Sequence, residues 1–303
     1  MRTIQRRSLL KSALAAGVGL CGPRLGGAPL PDNKVLPSVP FGKTRLSRLI
    51  AGANPINGYG HSTRRMDDLM LNYFTTERTT DFLLHCEQEG ITTWQTSWSP
   101  KVDQALRAAR DRGSNIQLIL LAAENDRSPW QKMLDLKPIA ICHHGGVTDT
   151  LVRAGRAQKI HDYVKRIKDA GLSAGVSTHN PDNVALVEDS GWENDFYMTC
   201  FFYVTRPAEE IRVKLGDEFI GEPFLSEDPK RMTARVRQVK KPCLGFKILG
   251  AGRLCGTQQT VERAFAFAYA NIKPTDAVIV GLFPIFNDEI KEDCELARKY
   301  ARL

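Results

Sequence analysis

The feature that most narrows what this chain can fold into is an alternation. From Leu46 onward, short apolar runs end in glycine or polar residues, and a helically patterned segment follows each of them. The runs are "RLIAGANPING", "ITTWQTSW", "NIQLILLAAEND", "IAICHHGG", "LSAGVSTHNP", "DFYMTCFFYVTRP", "PCLGFKILGAG" and "DAVIVGLFP". Near-continuous apolar runs are what parallel strands covered on both faces require. The intervening patterns predict helices over 76–89, 100–112, 158–170, 181–190, 228–239, 257–271 and 287–301. Several stop at glycine, as in "EQEG", "RDRG" and "KDAG", where a left-handed cap closes a helix. Strands alternating with helices imply a parallel sheet, and eight units predict an α/β fold of the closed (β/α)8 or TIM barrel type. The barrel is expected to occupy 41–303 as a single domain. An open doubly wound sheet is the alternative, but no GxGxxG follows the first run.

The amino end reads as an address. "MRTIQRRSLLKSALAAGVGLCG" has a basic start and an apolar stretch over 13–20, too short to span a bilayer. Arg6-Arg7-Ser8-Leu9-Leu10-Lys11 has the pattern of a twin-arginine export signal. Residues 1–28 are therefore expected to be a signal peptide and 29–40 a proline-rich linker. This implies the twin-arginine export machinery as a partner, a periplasmic or other extracytoplasmic location, and no stable membrane span. The formal charge of +8 includes only short basic pairs such as Arg64-Arg65 and Lys240-Lys241, which gives no nucleic-acid surface. Seven cysteines form no CxxC pair, so neither a disulfide framework nor a zinc knuckle is indicated.

A barrel puts its chemistry at the carboxyl ends of its strands. The polar residues there are Asn54, Asn57 and His61; Gln95 beside Trp98; Glu124; His143 and His144; Ser177, His179 and Asn180; Thr205 and Arg206; and Lys247 with Arg253. Glu124, His143 or His144, and His179 end successive strands, which lie about 4.8 Å apart. Two histidines and a carboxylate suit Zn²⁺, Mn²⁺ or Fe²⁺, and such an ion polarises a carbonyl or activates water. His143 and His144 point to opposite faces of a regular strand, so at most one enters the mouth. Either is also a candidate acid–base group, with Gln95 alongside. His179 has the alternative of capping the next helix. His85 and His161 lie within helical patterns as surface or packing residues. Lys247 can form a Schiff base if burial lowers its pKa, or can simply pair with Glu124 or another carboxylate. Asn57, His61, Trp98 and Arg206 are candidate substrate contacts, with Arg206 holding a carboxylate or bracing its loop. Trp94, Trp98, Tyr197, Phe201, Phe202 and Tyr203 suit sugar stacking or rim packing equally.

Three segments resemble the aldo/keto reductases: "FGKTRLSRLIAGANPING" their opening hairpin and first strand, "GVSTHNPDNVALV" their fifth strand and turn, and "DAVIVGLFPIFNDEIKEDCELA" their last strand and cofactor-side helix. The likeness runs from Phe41 to the end, with an insertion over 209–230. It implies that barrel fold and, in the family, carbonyl reduction with NADP through Asp, Tyr, Lys and His. Here the aspartate segment reads "TTWQTSWSP" around Trp94 and Gln95, the tyrosine's place holds Trp98 or Ser99, and the lysine's holds 122–124. The histidine remains as His143 or His144, and the family's Ser-Asn becomes Ser177-Thr178. No basic residue stands in "GLFPIFND" to hold the cofactor phosphate. The expectation is an exported barrel enzyme acting on a carbohydrate or polar carbonyl compound by metal-assisted or His/Glu acid–base chemistry, of lyase, isomerase or hydrolase type. A divergent NADP-dependent reductase and a non-catalytic binding protein are the alternatives, and a small molecule is the substrate or ligand in each case.

Overall fold

The computed structural model describes residues 34–123 and 129–302. The export signal and Glu124 lie outside the described residues. A hairpin of β1 (Ser38–Phe41) and β2 (Thr44–Ser47) leads into β3 (Leu49–Gly52), α1 (Arg64–Tyr73), α2 (Thr76–Gln88), β4 (Thr93–Thr96), α3 (Pro100–Asp111), β5 (Gln117–Ala122) and α4 (Trp130–Asp135). There follow β6 (Ala140–His143), α5 (Gly145–Arg153), α6 (Gln158–Asp169), β7 (Ser173–Thr178), α7 (Pro181–Asp189), β8 (Phe196–Cys200), α8 (Ala208–Leu215) and α9 (Asp228–Val236). The chain ends with β9 (Cys243–Phe246), α10 (Gln258–Asn271), β10 (Ala277–Gly281) and α11 (Glu289–Tyr300). Strands β3 to β10 form a closed parallel barrel in sequence order, with β10 pairing back onto β3. Each predicted apolar run supplies one of them.

Side chains alternate across the barrel wall. Ile50, Ile119, Ala140, Cys142, Met198, Leu244 and Ile279 fill the interior, while Leu49, Trp94, Leu118, Ile141, Val176 and Val278 face the helices. Phe41 and Leu46 of the hairpin join the interior cluster and stopper its lower end, Phe41 meeting Phe196 edge-on with ring centroids 4.9 Å apart. The 29–40 segment therefore does not stay a linker to its end: Leu36 is buried and β1 begins at Ser38. At the same end Arg48 donates to the backbone carbonyls of Asp276, Lys273 and Ala301, which ties the last strand and helix to the first strand.

The predicted helices stand within a few residues of their expected bounds. Helices α1, α4, α5 and α8 were not anticipated. Helix α1 has Met66, Leu69, Met70 and Tyr73 along one face but fully buries none of its residues, and α4 is six residues long, too short for a repeating pattern. Helix α5 opens on Gly145-Gly146, a pair that reads as a loop because glycine is a poor helix former. Among the described residues, no helix is long and apolar enough to cross a membrane.

Candidate functional site

Strand parity separates the paired histidines. On β6, Ala140 and Cys142 point into the barrel and Ile141 points to the helices, so His143 points to the helices as well. It is fully buried, its Nδ1 lies 2.7 Å from Thr148 Oγ1, and its ring meets Tyr163 edge-on at 5.5 Å. His143 thus faces the helices beside Thr148 and Tyr163, not the barrel interior that a catalytic or metal role at the mouth calls for. His144 is exposed at the start of α5 and borders a small mouth pocket with Asn54, Asn57, Tyr59, Gln95 and Thr96. His143→Ala is expected to cost about 2–3 kcal/mol through the cavity and the lost hydrogen bond. His144→Ala, which removes an exposed side chain and opens no buried cavity, is expected to cost less than His143→Ala. Thermal unfolding of the two variants checks the ranking.

The glycines that follow make room. A Cβ on Gly145 would lie 2.8 Å from Ser177 Oγ and 3.1 Å from His179 Cε1. Gly145→Ala should displace the His179 ring and destabilise by about 1–3 kcal/mol, as overpacking does. A denaturant midpoint equal to that of the parent would count against this contact.

The reason to keep His179 in place is Asp149. This buried carboxylate, from α5, accepts from His179 Nδ1 at 2.7 Å, the His179 amide at 3.1 Å, Asn183 Nδ2 at 2.8 Å, Thr205 Oγ1 at 2.7 Å and Thr178 Oγ1 at 2.5 Å. Burial alone would raise its pKa, but the hydrogen bond and charge of His179, with the two threonines, outweigh that and hold it below the usual carboxylate range. The carboxylate fixes Nδ1 as the protonated nitrogen and leaves Nε2 as the other functional atom of the ring. The helix cap expected of His179 is made by its neighbour Asn180 instead. His179 also borders a cleft of about 380 Å³ between α7, α9 and the end of β8, which Cys200, Arg231 and Arg235 line as well.

A second constellation covers the mouth. Lys247 Nζ lies 2.7 Å from His61 Nε2, and His61 Nδ1 lies 2.9 Å from both carboxylate oxygens of Glu222. Asn54 Nδ2 approaches the same Nε2 at 3.2 Å, and Arg253 Nη2 donates to the His61 carbonyl at 3.1 Å. With Nδ1–H donated to Glu222, Nε2 carries the lone pair that receives a proton from Lys247. Lys247 and His61 both adopt left-handed backbone, at φ 58° and 54°. That costs on the order of 1–2 kcal/mol for each non-glycine residue and is found where function requires it. Burial holds the Lys247 amine below the usual lysine range, although Glu222 partly offsets it. The two constellations meet at Phe246, whose ring centroid lies 5.5 Å from that of His179 and 5.8 Å from Lys247 Nζ.

Other expected contacts resolve differently. Arg206 is buried, donates to Asp228 and Glu210 and covers the Tyr203 ring, which braces the loop after β8, and it also lines the cleft beside His179. Trp94, Tyr197, Phe201 and Phe202 are buried in packing and Trp98 packs against the same cluster, while Phe201 and Tyr203 also line the cleft beside His179. Asn57 donates to Thr96 Oγ1 at 3.2 Å beside Gln95. His85 pairs with Asp288, and His161 with Glu193, at the periphery. Among the described residues no group of three or more His, Cys, Asp or Glu is placed to hold a metal ion. Of the proposed ligands, His143 faces the helices and His179 is committed at Nδ1 to Asp149. Glu222 and Asp149 escaped the sequence, the first in an insertion without a motif and the second in a helix masked by its glycine start.

No family model matches the chain, and no curated protein does. Its barrel is similar to a solved Pseudomonas aeruginosa protein assigned to the aldo-keto reductases, with TM-score 0.58 and 13% identity over 88% of this chain and 97% of that one. The fold is an aldo/keto reductase-like (β/α)8 barrel. A glycerol dehydrogenase from Gluconobacter oxydans is more distant, with TM-score 0.42 and 13% identity over 73% of this chain and 66% of that one. Among the described residues, the ends of the second and third barrel strands carry other side chains than the Asp, Tyr and Lys that the resemblance implies. Strand β4 ends with Gln95 and Thr96, and β5 ends at Ala122. Thr178 and Asn183, just where the fifth barrel strand meets α7, are spent on Asp149.

Proposed function

We propose that this chain is an enzyme that moves protons on a small polar carbonyl compound, such as a carbohydrate, in lyase, isomerase or hydrolase chemistry. The observation that carries the reading is the Lys247–His61–Glu222 chain at the strand ends. An amine kept below its ordinary pKa, a fixed imidazole tautomer and a carboxylate behind it form a proton relay. Across Phe246, His179 on Asp149 supplies a second acid–base group. A substrate that spans the Phe246 ring would meet one group able to take the proton beside its carbonyl and another able to protonate the carbonyl oxygen.

The test is α-proton exchange in D₂O, followed by proton NMR, with a panel of hydroxyaldehydes, hydroxyketones and 2-oxo acids. At least one should exchange, and both His61→Ala and His179→Ala should slow it by about a hundredfold or more, the scale of general acid–base catalysis. A panel that stays silent under all conditions removes the reading. The second reading, an NADP-dependent reductase with a rebuilt relay, has the barrel likeness in its favour. Quenching or enhancement of NADPH fluorescence on titration would revive it. Export by the twin-arginine pathway remains part of the proposal. It predicts that replacing Arg6 and Arg7 by lysine retains the protein in the cytoplasm.

A further inference from the structure

We infer that Lys247 is an imine-forming lysine, attacking the carbonyl carbon of a small aldehyde or ketone with His61 and Glu222 as the relay that frees its amine. This rests on the proposed carbonyl chemistry and deepens it from proton movement to a covalent intermediate. Lys247 ends a barrel strand and is half-buried, and its Nζ is aimed at a histidine nitrogen that can only accept. A salt-bridged structural lysine would lie on a carboxylate. Here the carboxylate stands one residue further back, so the ammonium proton has somewhere to go and the resulting imidazolium is met by Glu222. The other charged or titratable groups that bear on Nζ are Cys200 and Arg253, and burial pushes the Cys200 thiol up to about 12, leaving it neutral.

The step balances without an external oxidant or reductant. The Lys247 ammonium passes a proton to His61 Nε2. The freed amine forms a C–N bond as the carbonyl π pair moves to oxygen, and a proton shifts from that nitrogen to the oxygen. The resulting carbinolamine hydroxyl takes the proton from the His61 imidazolium and leaves as water while the nitrogen lone pair closes C=N. Ammonium and carbonyl thus become a protonated imine and water, and the imine keeps the positive charge that Glu222 faces.

The intact protein should be incubated with glyceraldehyde, dihydroxyacetone or pyruvate in the presence of sodium cyanoborohydride, then read by intact mass and peptide mapping. One stoichiometric adduct should form at Lys247, and Lys247→Arg should lose it. In His61→Ala, labelling at neutral pH should fall by about a hundredfold and recover toward alkaline pH, where hydroxide replaces the missing acceptor. A merely structural role for His61 would lower labelling at every pH. Label spread over surface lysines, with none concentrated at Lys247, overturns the inference. So does the absence of an adduct while α-proton exchange persists, which spares the acid–base reading. The loss of both overturns both.

Discussion

Lys247→Met is expected to lose α-proton exchange by about a thousandfold or more while melting no lower than the parent protein. The second half of that result distinguishes a functional lysine from a structural one. Methionine keeps the aliphatic stem and removes a half-buried ammonium that is held against desolvation. His61 Nε2 keeps Asn54 as a donor, and the left-handed backbone is equally unfavourable for either side chain. The same logic fixes a pH dependence. The folded-state pKa of Lys247 lies below its unfolded value, so between the two the unfolded chain binds the extra proton. The contribution of this group to stability therefore rises with pH across that window, up to the ordinary lysine range, and the rise should vanish in Lys247→Met. Denaturant midpoints of both proteins from neutral to alkaline pH check it.

Asp149→Ala should instead unfold readily, losing about 3–5 kcal/mol, the usual cost of breaking a buried, charged hydrogen-bond hub. That corresponds to a fall in Tm on the order of 10 °C for a domain of this size. Thr178, Thr205, Asn183 and the His179 amide and ring all donate to this one carboxylate, so its loss leaves several buried donors without an acceptor. Its pKa is depressed in the folded state, so its stabilisation is fully present above the unfolded value and is lost as pH falls through the lower, folded one. An acid-unfolding curve below about pH 4 should lose this steep component in the variant. An unchanged acid limb would mean that the network is not held by charge.

The barrel was legible because eight apolar runs ending in polar residues leave few other ways to bury a sheet on both faces. The site was legible only in part. Lys247, His61 and His179 stood out as polar residues at strand ends, yet their partners did not. His61 and Lys247 lie 186 residues apart, and no local spacing records that they touch. The His143–His144 pair shows the limit in the other direction. Adjacent positions face opposite sides of the wall, and the side is set by register with β5 and β7, which the pair itself does not encode. Glu222 sits in a segment whose only local mark is a pair of left-handed glycines, Gly216 and Gly221, so nothing in its neighbourhood signals a chemical role.

The tethers around Arg48 have a practical corollary. The described chain enters at Lys34, whose amine binds Glu89 beside Arg298, and it leaves through Ala301, whose carbonyl Arg48 holds. Entry and exit thus share the stoppered underside, with Lys247 and His179 at the opposite pole. A polypeptide fused after Ala301, or a bead grafted there, would leave the face that carries Lys247 and His179 turned toward bulk solution, whereas a bulky graft on the α8–α9 connection would shade it.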